Sequence, residues 1–441
     1  MPDRRADVLI VGSGPAGIAA ACAASECGCR VGVLDDNPAP GGQIWRGGAA
    51  RTASRQAAHW LDRFEQAGVE LFAETRAIDA PAAGSLLAES PGAAFELGYE
   101  KLILATGARE RFLPFPGWTL PNVMGAGGLQ ALVKGGLPVD GKRVVVAGAG
   151  PLLLAVAAYL RKRGAAIPVI AEQAPWTRLA RFGLALGPPK LAQAAGLAWT
   201  LRGVPYLAGC WPVAADGDGK IESVVLRRGE RTWRESCDYL ACGFGLTPNL
   251  ELALLLGCAV HKGFVAVSQW QQTSLPNVYC AGEPAGVGGV DLALIEGEIA
   301  GYAAAGRPER ARERFEARRR ARRFQERLER AFALRDELRS VVTPDTIVCR
   351  CEDVPWRRIR EHHCWKSAKL QTRCGMGSCQ GRVCGPATEF LLGWTPESAR
   401  PPVFPARVES LTGGGGGPGA AWPPRAMSRA RREGNRSELL S

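Results

Sequence analysis

Apolar and polar positions divide the chain into recognisable blocks. An apolar run from Ala6 to Val11 stops at Gly12-Ser13-Gly14-Pro15-Ala16-Gly17, an Ala-rich stretch continues to Glu26, and a second short run spans Arg30 to Leu34. Short apolar runs bounded by turn residues predict strand, glycine turn, helix and strand, a βαβ unit opening a doubly wound sheet. The pattern repeats from Arg143 to Ala147, through Gly148-Ala149-Gly150 and a helical stretch to Lys162, into a strand at Ile167 to Ala171. Two further strands, Lys101 to Gly107 and Val278 to Glu283, end in small residues and are expected to return to the first sheet. From Arg307 to Arg339 the chain is dense in Arg and Glu, with Phe315, Phe324, Leu328, Phe332 and Leu338 at near-helical spacing, which predicts a long charged helix. A cysteine-rich region follows Pro344 to about Trp394. The remainder, with five consecutive glycines at 413–417, is low in complexity and expected to be disordered.

At 441 residues, with 46% hydrophobic and 22% charged residues, the chain is a globular protein of about three domains. Collagen-like, coiled-coil and fully disordered classes are excluded. The apolar stretches Leu152 to Leu160 and Leu252 to Leu256 are too short to cross a bilayer, and the strand beginning near Val8 leaves no room for a secretory signal, so a cytoplasmic location is expected. Thiols stay reduced there, which makes the fourteen cysteines candidates for metal or cluster ligands rather than disulfides. Eight of them (Cys22, Cys27, Cys29, Cys210, Cys237, Cys242, Cys258 and Cys280) lie among apolar neighbours as small hydrophobes. The other six fall within residues 349–384. Much of the basic excess behind the net charge of +12 lies in 307–339 and 425–436, segments without a nucleic-acid-binding motif, so nucleic acid is not an expected partner.

The loop Gly12 to Gly17 fits the dinucleotide fingerprint in its required setting, after a strand and before a helix, with Asp35 standing 21 residues beyond Gly14. Gly12 allows the turn, Gly14 lets the backbone approach a pyrophosphate, Gly17 lets helix and strand pack, and Asp35 is placed to accept from an adenosine ribose. The second loop departs from the fingerprint at Leu153, a bulky residue where the third glycine would stand. That puts nicotinamide-dinucleotide binding in doubt, although Glu172 lies 22 residues after Gly150.

Cys349-Arg350-Cys351 and Cys379-Gln380-Gly381-Arg382-Val383-Cys384 form two close pairs with 27 residues between them. Four thiolates converging from two loops suit a [2Fe-2S] cluster or a tetrahedral zinc, and the one-residue gap in the first pair is unlike the usual zinc spacing. The middle of the chain offers only the single cysteines Cys210, Cys237 and Cys242, which does not make the redox pair of a disulfide reductase. His59, His261, His362 and His363 read as surface or structural residues rather than a catalytic set.

Asp35-Asp36-Asn37-Pro38-Ala39-Pro40-Gly41-Gly42-Gln43-Ile44-Trp45-Arg46, Ala105-Thr106-Gly107-Ala108-Arg109-Glu110, Pro116 to Pro121 and Ala281-Gly282-Glu283-Pro284 resemble the two-dinucleotide-domain flavoproteins. Within them the chain is similar to the large flavin subunits of opine oxidases, hydroxyproline and proline dehydrogenases and hydrogen cyanide synthase, from residue 6 to about 410. The resemblance implies an α/β fold of two Rossmann-like dinucleotide-binding domains, glutathione-reductase-like, plus a small helical [2Fe-2S] domain. It implies FAD held by Gly12, Ser13, Gly14, Pro15, Ala16, Gly17, Asp35, Asp36, Gly42, Gln43, Thr106, Gly107, Gly282 and Glu283. Glu283 is a longer acid than the Asp that many relatives of the wider superfamily carry. Thr372-Arg373-Cys374-Gly375-Met376-Gly377 and the second cysteine pair resemble a bacterioferritin-associated-ferredoxin-like domain. That resemblance assigns Cys349, Cys351, Cys379 and Cys384 as ligands and leaves Cys374 outside the set.

These expectations divide the chain into a first flavin segment (1–110), a second dinucleotide-type domain (111–245), a flavin return segment (246–306), a charged linker helix (307–340), a cluster domain (341–398) and a tail (399–441). The implied role is an electron-transfer subunit of a hetero-oligomeric dehydrogenase that oxidises a secondary amine or amino acid derivative of opine, hydroxyproline, proline or sarcosine type. The implied partner is an amino-acid-oxidase-like FAD subunit, and a small ferredoxin-like subunit stays open beside it. A second nucleotide (NAD or ATP) and an interfacial FMN stay open, and the rival reading is a stand-alone NAD(P)H-dependent reductase.

Overall fold

The structure, a computed structural model, describes residues 4–46, 54–395 and 399–412. It divides into two units, one formed by residues 1–107, 248–322 and 398–441 and the other by 108–247 and 323–397.

In the first unit the strand Arg4–Val11 lies between Val31–Leu34 and Ala94–Leu104, parallel to both, and Val278–Cys280 adds to the far end of Ala94–Leu104. The register pairs Val11 with Leu34 and Leu104, and Leu104 with Cys280, so the carboxyl ends of four strands reach one edge together. Every residue of Val31–Leu34 and Val278–Cys280 is buried, as expected of parallel strands covered on both faces. The helices Pro15–Glu26 and Gly289–Ala304 pack closely, because Gly297 sits where any Cβ would overlap the carbonyl oxygen of Ala16. The run expected as one charged helix over 307–340 is divided into Pro308–Arg312, Phe315–Phe332 and a 3-10 turn at Asp336–Ser340.

The start of the tail also differs from expectation. Residues 399–412 pack on the first unit: the Val403 N–H donates to the Ile78 carbonyl, and the Arg407 N–H and Ser410 hydroxyl both donate to Glu89 Oε1, at 2.9 and 2.6 Å. A carboxylate that converges three donors, the Arg407 guanidinium included, gives this polar segment a fixed seat that its composition does not announce. Residues 413–441 lie outside the described residues.

The second unit carries a five-stranded parallel sheet in the order Tyr206–Ala208, Ile170–Glu172, Val144–Ala149, Tyr239–Phe244, Val123–Gly125. A three-stranded antiparallel sheet spans Cys210 to Ser236. The cysteine-rich region is built on this unit rather than apart from it. Leu338 and Phe390 share a core with Leu113, Phe115, Trp118 and Trp211, and the Trp118 indole N–H donates to the Ile347 carbonyl at 2.5 Å. No helix among the described residues is long and apolar enough to cross a membrane.

Candidate functional sites

Four loops leave the carboxyl edge of the first sheet and meet around Gly14. Gly12 has φ +105°, and a Cβ there would overlap the Ala105 carbonyl, while one at Gly17 would overlap that of Gly12. Glycine is therefore demanded twice by the turn itself. Gly14 differs: its φ is −73°, and a Cβ would lie 4.0 Å from the Gly42 Cα, an ordinary contact. Nothing in the fold requires glycine there, which leaves the approach of a ligand as the reason for it. The loop Gly41-Gly42-Gln43 folds back over this point, the Gly41 N–H donating to the Ser13 carbonyl at 2.8 Å and Gln43 accepting from Arg46. Thr106 is fixed from behind, its hydroxyl donating to the Asn249 carbonyl at 2.7 Å while the Asn249 amide returns a bond of 2.8 Å. Asn249 N–H holds the Gly107 carbonyl.

The helix Pro15–Glu26 begins with no side-chain cap and no acid in its first turn, so its leading N–H groups face the edge unsatisfied by the protein. Gly282, at φ +77°, packs against Ala16 and delivers Glu283 to the same edge. Glu283 Oε1 accepts the Gly289 N–H at 3.1 Å, while Oε2 is buried without a hydrogen-bond partner. Burial, reinforced by Glu296, pushes this carboxyl up to about 7. An uncapped helix start and an orphaned buried carboxylate oxygen are complementary to an anion flanked by hydroxyl groups, as in a dinucleotide's pyrophosphate and polyol.

Asp35 is held within the glycine loop. It is only 7% exposed, and its Oδ2 accepts from the Ser13 N–H and hydroxyl at 2.5 and 2.7 Å while Oδ1 accepts both Asn37 donors at 2.8 and 2.7 Å. These four bonds match a carboxylate's acceptor sites, so Asp35 shapes the glycine loop. Asp36 beside it is exposed and faces Arg76 at 3.6 Å.

The second unit turns its acids inward. Glu172 is fully buried and bridges backbone, Oε2 accepting the Gly150 N–H and Oε1 the Ala174 N–H, both at 2.8 Å. Both of its oxygens are thus turned to the protein's own backbone. Leu153 is 1% exposed in a core with Val144, Val146, Val156 and Ile170, so the bulk that replaces the third glycine anchors the helix Leu152–Lys162. Sequence reasoning missed Glu110. Its carboxylate accepts the Gly127 and Gly128 N–H groups at 2.7 and 3.0 Å, placing a protein anion at the start of the helix Ala126–Lys134. The only signal for it is the Gly125, Gly127, Gly128 spacing.

The cysteine loops converge in two groups. Cys349, Cys374 and Cys384 are buried, and their Sγ atoms all lie within 4.8 Å of one another. Cys351, exposed, stands beside half-buried Cys379, with the Cys351 Sγ 3.8 Å from the Ser378 hydroxyl. The four expected ligands thus fall into two pairs, and Cys374, which the resemblance leaves outside the set, stands in the buried group. Gly377 makes the approach possible, because a Cβ there would overlap that of Cys351, and the Trp365 ring closes over Gly375 and Gly381. The neighbouring Cys374 and Cys384 side chains hold the Cys349 thiol far below its ordinary value. Cys364 is apart, accepting the Ser367 N–H at the head of the helix Trp365–Thr372. A donor set of sulfur alone fits an iron–sulfur cluster or zinc and does not fit a hard cation. Arg109 Nε donates to the Arg382 carbonyl at 3.1 Å, fixing the second cysteine loop to the strand Ala108–Glu110, and Arg111 faces Glu389 of the helix Cys384–Leu392 at 3.8 Å.

In the middle of the chain Cys210, Cys237 and Cys242 are buried free thiols, each pushed up by burial, Cys210 and Cys237 to about 12. They form no redox pair. The sequence pattern of the pyridine nucleotide-disulphide oxidoreductase family nevertheless matches residues 6–312. Hydrogen cyanide synthase subunit HcnB of Pseudomonas aeruginosa is 33% identical over 423 residues, covering 85% of this chain and 90% of the relative. An opine oxidase subunit of Rhizobium meliloti is 33% identical over 459 residues, covering 90% and 96%. The crystal structure of L-proline dehydrogenase from P. horikoshii superposes with a TM-score of 0.65 at 18% identity, covering 92% of this chain and 80% of that one, which is a likeness of fold. With an uncapped dinucleotide loop at one sheet edge and no disulfide-reducing cysteine pair among the described residues, the chain belongs to the pyridine nucleotide-disulphide oxidoreductase family as an FAD-dependent oxidoreductase akin to the opine oxidase and hydrogen cyanide synthase subunits.

Proposed function

We propose that this chain is the electron-transfer flavin and iron–sulfur subunit of a hetero-oligomeric dehydrogenase acting on a secondary amine or amino acid derivative of opine, hydroxyproline, proline or sarcosine type. The partner is an amino-acid-oxidase-like FAD subunit that holds the substrate. The observation that carries the reading is one chain bearing both a dinucleotide loop and a buried all-thiol cluster, in a family whose similar members are named as subunits.

FAD is held by Gly12 to Gly17, with Gly42, Gln43, Thr106, Gly107 and Gly282 around it. The start of the helix Pro15–Glu26 stabilises the pyrophosphate charge, and Glu283 Oε2 accepts a ribitol hydroxyl. Cys349, Cys351, Cys379 and Cys384 hold a [2Fe-2S] cluster, and Trp365 packs over Gly381 in the loop that carries the second pair. When bound, a flavin accepts electrons in pairs or singly and a [2Fe-2S] cluster accepts one at a time, which suits a relay from a two-electron donor. The protein's part is to exclude water and hold the thiolates rigidly, as Arg109 does by fastening the Cys379–Cys384 loop and Arg111 by facing Glu389 of the helix Cys384–Leu392.

The rival reading is a stand-alone NAD(P)H-dependent reductase. Glu172, Glu110 and Leu153 weigh against it, since the two carboxylates take backbone N–H groups of the glycine turns and Leu153 fills the core where the third glycine would let helix and strand approach. The test is dye reduction with opines, sarcosine, proline and hydroxyproline. The purified chain is expected to be nearly inactive with each and to gain activity when co-expressed with the oxidase-like partner. Robust turnover of any of them by the isolated chain, or of NADH, overturns the subunit reading.

A further inference from the structure

Three features of Cys374 exceed what packing requires. Its Sγ lies within 4.8 Å of both the Cys349 and the Cys384 Sγ atoms, and all three residues are buried. Two thiolates on one tetrahedral metal, each about 2.3 Å from it, stand about 3.8 Å apart, so this spacing is close to that of ligands sharing an ion. The backbone is also built to aim it. Arg373 takes φ +66° at the end of the helix Trp365–Thr372, turning the chain back on itself, and Thr372 Oγ1 accepts the Cys374 N–H at 3.2 Å while donating to the Ala368 carbonyl at 2.6 Å. Finally, Trp365 closes over the following Gly375 and keeps the turn from opening.

We propose that Cys374 is a reserve ligand of the cluster, able to take iron from Cys384 by thiolate exchange; this rests on the reading of the thiol group as a [2Fe-2S] site. In the exchange the Fe–Sγ bond to Cys384 breaks and one to Cys374 forms. The proton leaving the Cys374 thiol passes to the released Cys384 thiolate within the same group of sulfurs, and no oxidation state changes. Cys384 opens the helix Cys384–Leu392, whereas Cys374 sits on a turn held from the other side, so the two reach the site from independent elements. An exchange of this kind keeps the cluster assembled when one strut of the site moves.

The experiment uses the full chain with its FAD, purified anaerobically as wild type, Cys374→Ala, Cys384→Ala and the double variant, with iron, acid-labile sulfide, flavin content and the electron paramagnetic resonance of the reduced protein measured for each. Wild type and Cys374→Ala are expected to hold about two irons. Cys384→Ala should retain most of that iron with an altered resonance, and the double variant should lose it while keeping its flavin. Cys384→Ala as poor in iron as the double variant, with Cys374→Ala intact, overturns the proposal. A second measurement does not depend on the Cys384 variants folding: iron should pass to a chelator several-fold faster from Cys374→Ala than from wild type, because no neighbouring thiol recaptures it. Equal rates overturn the reserve role. Zinc without acid-labile sulfide in the wild type overturns the cluster reading itself.

Discussion

Glu172 grips Gly150: its buried carboxylate accepts that residue's N–H at 2.8 Å, one position further along the loop than Asp35 grips Ser13 in the first unit. The two glycine loops are thus braced by acids at the ends of their second strands, but the longer glutamate reaches past the turn and engages the second glycine. Four bonds saturate Asp35, whereas the bonds from Gly150, Ala174 and the Gln173 side chain do not offset the burial of Glu172, whose carboxyl is pushed up to about 7.

A pH dependence follows from Glu172. Its ordinary value is 4.5, and burial raises it in the folded protein, so the folded state holds this proton more tightly than the unfolded one. Its stabilising contribution is complete below 4.5 and is lost as pH rises towards about 7, a change of about 3 kcal/mol. Urea unfolding of wild type and Glu172→Gln is expected to show a stability difference in favour of wild type that shrinks across this window. A difference that stays constant with pH would show that Glu172 does not titrate there.

Gly12 and Gly14 are expected to fail differently. Gly12→Ala forces a side chain into the Ala105 carbonyl at a left-handed φ and should destabilise the fold by more than about 2 kcal/mol, the scale of backbone strain plus overpacking. Gly14→Val meets only ordinary contact with Gly42, so it should fold and elute without FAD. The flavin absorbance and circular dichroism of the two variants separate these outcomes, and a Gly14→Val protein with a full complement of FAD places the flavin elsewhere.

The unpartnered Oε2 of Glu283 makes its truncation informative. Glu283→Ala should weaken FAD retention by roughly 10- to 100-fold, the worth of a hydrogen bond to a charged group at about 1.5–3 kcal/mol. Removing a buried, partly unsatisfied acid should at the same time leave the protein's thermal stability unchanged or raised at about pH 8. Flavin release monitored by fluorescence tests the first expectation and calorimetry the second; unchanged flavin affinity removes Glu283 from the site.

The seat of the tail offers a local check. Arg407 donates to Glu89 and to the Ser90 and Pro91 carbonyls, at 2.9 and 2.7 Å for the two carbonyls. Arg407→Ala should therefore cost about 1–2 kcal/mol in unfolding free energy and expose residues 399–412 to protease. Unchanged proteolysis of that segment would mean that Val403, Ser410 and the residue-407 N–H hold it without the guanidinium.

What the sequence by itself determined is what depends on local spacing. The strand, glycine turn and helix at Ala6 to Glu26 were legible because each position answers to one steric demand of its neighbours, and the family followed from motifs of adjacent residues such as Gly41-Gly42-Gln43 and Ala281-Gly282-Glu283. Only the tertiary structure decided which groups meet across the chain. Asp35 and Glu172 have the spacing of ribose acceptors, but whether a carboxylate points at a ligand or at its own backbone depends on the three-dimensional course of the loop, which lets Asn37 and Ala174 fold back upon them. Glu110 and the helix at Ala126, and Cys374 within reach of Cys349 and Cys384, are likewise juxtapositions that spacing along the chain does not specify. Spacing records how far residues stand along the chain, whereas hydrogen bonds and thiolate sites form where side chains converge in space, and that convergence is set by sheet register and by the close packing that glycines such as Gly377 permit.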